Sequence, residues 1–283
     1  MAAKSVAAME AGVVSRNPLH VGLRHDNSNA APGGFPQRKV SDIPSVSKEQ
    51  MREIERIALE DYNLEIIQIM ENAGRATATL AHAMLGRHAR GQHIVVLIGN
   101  GNKGGGGLCA ARHLANMGFS VEPVLGAVED EMPLASRRQL KVLRESGVAE
   151  PKESQGGEYV VEEQLMRADL IIDALVGYGL VGPPSGIALA CVEMATNAKR
   201  PILAIDVPTG VNATTGEAAD VHIHATTTLA LDLPKKGMLG PESRQHVGEL
   251  YLADIGIPRA VHLRVGIPQV DTFSEGSIVR LRR

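Results

Sequence analysis

A chain of 283 residues with a formal net charge of −3, three Phe, four Tyr and no Trp lacks the broad basic face and the aromatic platforms that nucleic-acid binding uses. Its 44% hydrophobic and 22% charged residues suit a globular domain with an aliphatic core, and no apolar run approaches the ~18 residues that span a bilayer, so no membrane partner is expected. Cys109 and Cys191 lie in apolar, helix-like context and read as buried thiols in a reducing compartment. Glu10, Arg16 and His20 interrupt any secretory signal core. A cytoplasmic location is expected, with an organellar leader in residues 1–44 as the alternative.

Residues 1–44, rich in Ala, Asn, Gly and Pro without a sustained period, read as a disordered arm. Structure is expected from Ser45. Ser47 and Gln50 have the spacing of a capping box, and Met51, Ile54, Ile57 and Ala58 then recur at helical intervals. A second helix is predicted from about Leu64 to Leu85, with Ile66, Ile69, Met70, Ala73, Thr77, Leu80 and Met84 on one face. The run His93–Ile98 then reads as a parallel strand buried on both faces. Helices near Gly107–Met117, Pro133–Ser146 and Gly186–Thr196 alternate with strands near Ser120–Leu125, Asp169–Asp173 and Ile202–Asp206. Two further strands are expected at Thr226–Leu231 and Gly248–Ala253. The alternation predicts a three-layer αβα, Rossmann-like α/β domain over residues 45–260. Its sheet is mostly parallel, two helices precede it, and 261–283 form a C-terminal tail.

In such sheets ligands sit beyond the carboxyl ends of the strands. Three of those ends carry unusual residues. Gly99, Gly101 and Gly104 spell G-x-G-x-x-G between a strand and a helix, where free amides can meet phosphate; a plain tight turn is the alternative. Asp173 ends a second strand before a glycine-containing loop, as a ligand-facing carboxylate or a helix cap. Asp206 ends a third, and Pro208 with Gly210 makes a turn that presents Thr209. Convergence of two acids and a hydroxyl on one crevice is the strongest signal. His222 and His224 share one side of an extended segment and could pair on a metal, although no third ligand is visible nearby. Lys235 and Lys236 lie in a loop, as phosphate or acid groups or as a solvated pair.

Taken in order, GNGNKGGGG, DALVGYG, DVPTG, LDLPKKG and ADIGIP resemble the NAD(P)H-hydrate epimerase family, the YjeF N-terminal domain family, from about Val46 to Pro258. The resemblance implies a Rossmann-like fold and interconversion of the R and S epimers of hydrated NADH and NADPH. A separate NAD(P)H-hydrate dehydratase then repairs one epimer. It further implies substrate contacts at Asn102, Lys103, Gly104, Gly105 and Gly106, along Gly177, Tyr178, Gly179, Leu180, Val181, Gly182 and Pro183, and at Asp206. The family's potassium ion would be held by the residue at 103, by Asp173 and by the hydroxyl of Thr209.

Two positions depart from the family turn G-x-G-N-N-G-G-D-G: the second Asn is Lys103 and the Asp is Gly106. A protonated lysine has donors and no acceptor, so it cannot ligate potassium. It could instead reach Asp173 and occupy the ion's place. The two changes also raise the local charge by about two units, which would favour phosphate. The catalytic group expected is Asp206, stabilising a cationic iminium as hydroxide leaves the hydrated ring and water returns on the other face, with a lysine of the 235–236 pair as helper. A catalytically silent member binding a nucleotide or a protein is the alternative. An NAD-dependent dehydrogenase ranks last, because the acid it needs roughly 20 residues on would be Glu122, inside a strand. The amphipathic N-terminal helices offer a face for a homodimer.

Overall fold

The capping box at Ser47 forms as its spacing dictates. The Ser47 hydroxyl accepts from Gln50 N at 3.3 Å, and the Gln50 side chain accepts from Ser47 N at 3.0 Å. Helix α1 (Lys48–Arg56) follows, then a wider turn over Ile57–Asp61 and α2 (Ile66–Leu85), itself opened by a Glu65–Gln68 box. In this computed structural model the described residues are 34–86, 91–148, 151–153 and 158–283.

The expected alternation then unfolds as β2 (His93–Ile98), α3 (Asn102–Asn116), β3 (Ser120–Leu125), α4 (Leu134–Glu145), β4 (Lys152–Glu153), α5 (Glu158–Arg167), β5 (Leu170–Ala174), α6 (Gly186–Ala198) and β6 (Ile202–Ile205). After it come β7 (Thr227–Leu231), α7 (Arg244–Val247), β8 (Glu249–Ala253), α8 (Arg259–Arg264) and β9 (Ile278–Arg282), while β1 (Gln37–Lys39) precedes α1. Among the described residues, nine strands form one sheet in the order β1-β9-β8-β7-β6-β5-β2-β3-β4, parallel throughout except for β8 against β9. One face packs on α2, α3 and α4, through residues such as Leu80, Leu108, Leu114 and Leu140. The other packs on α5 and α6, through Val161, Leu165, Cys191 and Val192. That is the three-layer αβα arrangement predicted.

Two boundaries differ from expectation. The arm assigned to 1–44 and the tail assigned to 261–283 meet in the sheet, where Gln37, Arg38 and Lys39 pair in parallel with Arg280, Leu281 and Arg282. A three-residue strand has no period of its own to read, and its bonds come from the neighbouring edge. The rest of the arm, residues 1–33, lies outside the described residues. The second difference is the start of α3, at Asn102 instead of near Gly107, so Gly104–Gly107 are helical despite glycine's poor propensity. Packing decides this. A Cβ on Gly104 would lie 1.9 Å from the Gly99 carbonyl oxygen, and one on Gly107 would lie 2.4 Å from Ala174 Cβ. Bare backbone lets α3 press onto β2 and β5.

The apolar face of α1 and of the turn after it is covered within the chain: Met51, Ile54, Ile57 and Ala58 pack with Leu233, Ile255, Ile257 and Val261. The face offered by the sequence for a second subunit is therefore spent on the fold. No described helix is long and apolar enough to cross a membrane.

Candidate active site

The chain builds outward from β2 to β3 and β4, then crosses back to add β5 on the other side of β2. This reversal places a crevice between the carboxyl ends of β2 and β5. A cavity of about 240 Å³ lies there. Its apolar wall comes from Met51, Ile66, Ile69, Met70 and Ala73 of the N-terminal helices. Its polar groups come from Asn100, Asn102, Lys103, Asp206 and Lys235, with Glu55 and Arg52 from α1. Few polar groups in an apolar cleft is the usual make-up of a small-molecule site.

Lys103 does not face the cavity with a free charge. Its Nζ donates to Asp173 Oδ2 at 3.0 Å, Val176 O at 3.1 Å, Val207 O at 2.9 Å and lies 3.3 Å from Thr209 Oγ1. Asp173 is fully buried, and its carboxylate also accepts from Thr209 N at 2.8 Å, Thr209 Oγ1 at 2.7 Å and Leu175 N at 3.1 Å. Burial pushes the Lys103 ammonium down from its ordinary value, and the Asp173 charge opposes that. A carboxylate, a hydroxyl and two carbonyls converging on one point are a donor set suited to a potassium ion, but the ammonium stands at that point. The residues therefore do not fit the ion that the sequence resemblance implies. Nor does the Lys103 charge turn toward phosphate, since it is spent on Asp173.

Asp206 sits just beyond β6 with φ of +65°, a left-handed conformation uncommon outside glycine and retained where the surroundings enforce it. Its amide donates to Leu229 O at 2.7 Å. Its carboxylate accepts from Lys235 Nζ and from Tyr178 N, the latter at 3.3 Å. Lys235 is 1% exposed and also donates to Leu231 O at 2.9 Å. The backbone around it is clamped by Val46, which donates to Pro234 O at 3.0 Å and accepts from Lys236 N at 2.9 Å. The two adjacent lysines thus separate: Lys235 is buried on Asp206 and Lys236 is exposed.

Above this pair, the Tyr178 hydroxyl donates to Glu55 Oε2 at 2.5 Å. Burial raises the Glu55 carboxyl above its usual range, partly offset by the Tyr178 bond and by Lys235. Burial and the neighbouring Glu55 likewise raise the Tyr178 phenol. Sequence reading missed Glu55, although a signal was present: on α1 it shares the side of Met51, Ile54 and Ala58, an acid on an apolar stripe.

Of the expected substrate contacts, Asn102, Lys103, Gly106, Gly177, Tyr178, Gly179 and Asp206 line the cavity. Gly104 and Gly105 do not, because they are packing positions, a Cβ on Gly105 meeting the Met70 side chain at 2.7 Å. Leu180, Val181, Gly182 and Pro183 also lie outside the lining; the loop turns to solvent there, with Val181 82% exposed. Lys48 Nζ holds its base, donating to Gly179 O at 3.0 Å and Leu180 O at 2.7 Å. Glu122 lies within β3, ion-paired with Lys152 at 3.0 Å, so the acid a dehydrogenase would need is not at the strand end. His222 and His224 do share a side, and α7 brings His246 to them, a third histidine that sequence spacing does not reveal.

An open, mostly parallel α/β sheet with its cavity at the switch point defines a Rossmann-like domain of the nucleotide-site type. More narrowly, the chain belongs to the family described as YjeF-related protein N-terminus, whose model matches residues 66–237. A curated relative from Dehalogenimonas lykanthroporepellens, "NAD(P)H-hydrate epimerase", is 39% identical over 84% of this chain and 93% of its own length. A protein of the same name from Rhodopirellula baltica is 32% identical over 78% of this chain and 88% of its own. The "Bifunctional NAD(P)H-hydrate repair enzyme Nnr" of Moorella thermoacetica is 33% identical over 76% of this chain, which spans 41% of that longer protein. In fold, the crystal structure of yeast ynu0 (YNL200c) superposes with a TM-score of 0.74 at 24% identity, covering 84% of this chain and all of that one.

Proposed function

We propose that the chain is an NAD(P)H-hydrate epimerase, an isomerase that interconverts the R and S epimers of hydrated NADH and NADPH. The observation that carries this is the buried Asp206–Lys235 pair, held at the floor of the switch-point cavity by Tyr178 N and Leu231 O. The cavity accepts the hydrated nicotinamide end of the substrate, and the dinucleotide phosphates run toward the start of α3. There the first backbone N–H groups lack intrahelical partners and the helix dipole favours negative charge.

Epimerisation breaks the C–O bond at the hydrated carbon, passes through a cationic iminium and re-forms the bond on the opposite face. Leaving hydroxide needs a proton, and incoming water must lose one. Asp206 and Lys235 share a hydrogen-bonded proton, so this pair lends it at the first step and recovers one at the second, with no net change. The Asp206 carboxylate also stabilises the iminium charge, in a cavity whose apolar wall strengthens that attraction. Asp206 is the catalytic group in this reading and Lys235 its proton partner. The substrate contacts are Asn102, Gly106, Gly177, Tyr178 and Gly179.

The Lys103 ammonium is a built-in substitute for the potassium ion, bound to Asp173, Thr209 and two carbonyls, and no step runs through a metal. It ties the end of β5, at Asp173 and Val176, to the Val207–Thr209 segment after β6, just ahead of the loop carrying Gly177, Tyr178 and Gly179. A dehydratase specific for one epimer is the partner that consumes the product, as part of another chain or of a longer one.

The test is direct. Purified chain incubated with one isolated epimer should drive the mixture to equilibrium faster than buffer alone, as followed by chromatography. Saturable binding of the hydrates with no interconversion would instead make this chain a silent member of the family.

A further inference from the structure

Three histidines from two separate segments meet outside the cavity. His222 and His224 lie on the extended stretch before β7, and His246 is on α7. The ring centroids are 4.1 Å apart for His222 and His224, 4.4 Å for His222 and His246, and 5.5 Å for His224 and His246. One ring nitrogen from each comes within 4.8 Å of the others. We propose that His222, His224 and His246 form a binding site for a divalent transition-metal ion of the kind that prefers imidazole, such as zinc, nickel, cobalt or copper, with one coordination position open to solvent beside the exposed His224.

The segments are joined before any ion arrives. Ala225 N donates to the His246 carbonyl at 2.9 Å, Ile223 N donates to Thr209 O at 2.8 Å, and Ala219 N donates to Gly210 O at 2.9 Å. The His222 ring is oriented by a bond of 2.7 Å between its Nδ1 and Ala219 O, which puts the proton on Nδ1 and leaves the Nε2 lone pair facing the cluster. A ring nitrogen bonded to a backbone carbonyl is the usual outer support of a metal-binding histidine.

His222 Nε2 lies 2.7 Å from His246 Nδ1, so without metal His246 donates a proton across that gap. Tetrahedral coordination at about 2.0–2.1 Å sets ligand nitrogens roughly 3.3–3.4 Å apart. The ion therefore parts these two rings by about 0.6 Å and draws His224 in by rotation about its own side-chain bonds. The displaced proton moves, through water, to His246 Nε2. Gln245 lies 3.1 Å from that atom, and a turned amide presents its carbonyl oxygen there. The cluster becomes three neutral imidazoles with no proton lost. Among the described residues, the other grouping of metal-ligand types, Glu71, Cys109 and His113, does not compete. The Arg112 guanidinium occupies Glu71 at 2.6 Å, and burial pushes the Cys109 thiol up to about 12.

The experiment uses the full chain without a polyhistidine tag. Zinc chloride is titrated calorimetrically, and cobalt(II) chloride is followed by its visible ligand-field bands. The expected result is one ion per chain, bands typical of nitrogen ligation at low coordination number, and a zinc-dependent rise in melting temperature. His224→Ala and His246→Ala should each weaken zinc by at least about tenfold and abolish the cobalt bands, whereas His113→Ala leaves both unchanged. His224 is exposed, so its replacement leaves the apo melting curve in place and is decisive alone. Absence of saturable binding, wild-type affinity in His224→Ala, or loss confined to His113→Ala would each overturn the proposal.

Discussion

Lys103 Nζ and Asp173 Oδ2 lie 3.0 Å apart with the two side chains only 6% and 0% exposed, an ion pair sealed into the floor of the site. Removing one member of such a pair strands the other charge. Lys103→Met should therefore lose about 3–5 kcal/mol of stability in denaturant unfolding. Lys103→Asn restores an oxygen acceptor where the ammonium stood, and potassium chloride should raise its melting temperature above that in sodium chloride of equal ionic strength. The unaltered chain should melt identically in the two salts. A potassium-specific gain in stability or ligand affinity for the unaltered chain would refute the substitution of ammonium for ion.

Asp206→Asn keeps the shape of the floor and the bond from Tyr178 N but removes the carboxylate. Interconversion of the hydrates should fall by at least about 10³-fold, the scale of losing both electrostatic stabilisation and proton transfer, while hydrate affinity changes little. Comparing turnover with equilibrium binding separates the two, and retained turnover would remove Asp206 from the mechanism.

The glycines of α3 divide by what surrounds them. At Gly104 a methyl group would sit 1.9 Å from a carbonyl oxygen, whereas at Gly106 the nearest neighbour is Ala73 Cβ at 3.7 Å. Gly104→Ala should cost about 3 kcal/mol or more. Gly106→Ala should gain up to about 1 kcal/mol from helix propensity. Denaturation midpoints of the two variants decide this; equal effects would contradict the packing described.

Glu55 gives a pH signature. Burial raises its carboxyl in the folded chain above the ordinary value of 4.5. Its contribution to stability is thus complete below that value and declines as pH climbs through the folded value, because the unfolded chain ionises first. Gln cannot ionise, yet its carbonyl still accepts from the Tyr178 hydroxyl. Glu55→Gln should therefore gain on the unaltered chain as pH rises from about 4.5 toward neutrality. Melting temperatures across that range test it, and an advantage that shrinks with rising pH would show the sign to be wrong.

Strands β2, β5 and β6 were legible because a strand covered on both faces must be apolar along its length, as Ile94–Ile98 and Leu170–Ile172 are. The approach of Lys103 to Asp173 was legible only through the resemblance, which places a potassium ion on Asp173, since a cation displacing a cation needs the same carboxylate. The carbonyls of Val176 and Val207 were not, because residue identity does not say where a backbone oxygen points. The 235–236 pair offered a helper for Asp206 or two solvated lysines; only the Val46 clamp and the bond to Leu231 O at the end of β7 show that Lys235 goes inward while Lys236 stays out. His246 was invisible for a similar reason, being 22 residues from His224 and brought back by α7.

The pairing of β1 with β9 has a consequence for how this molecule behaves in a crowd. β9 reads Ile-Val-Arg-Leu-Arg and would otherwise form the border of the sheet, a row of unsatisfied amides and carbonyls able to recruit a strand from another chain. Gln37–Lys39 occupies that row for three residues and then ends, too short to serve as a template in turn. Arg38 and Lys39 add charge where a newcomer would have to lie. The stretch ahead of α1 is thus a stopper against aggregation, and a chain trimmed to begin at Ser45 would keep its cavity and lose its protection.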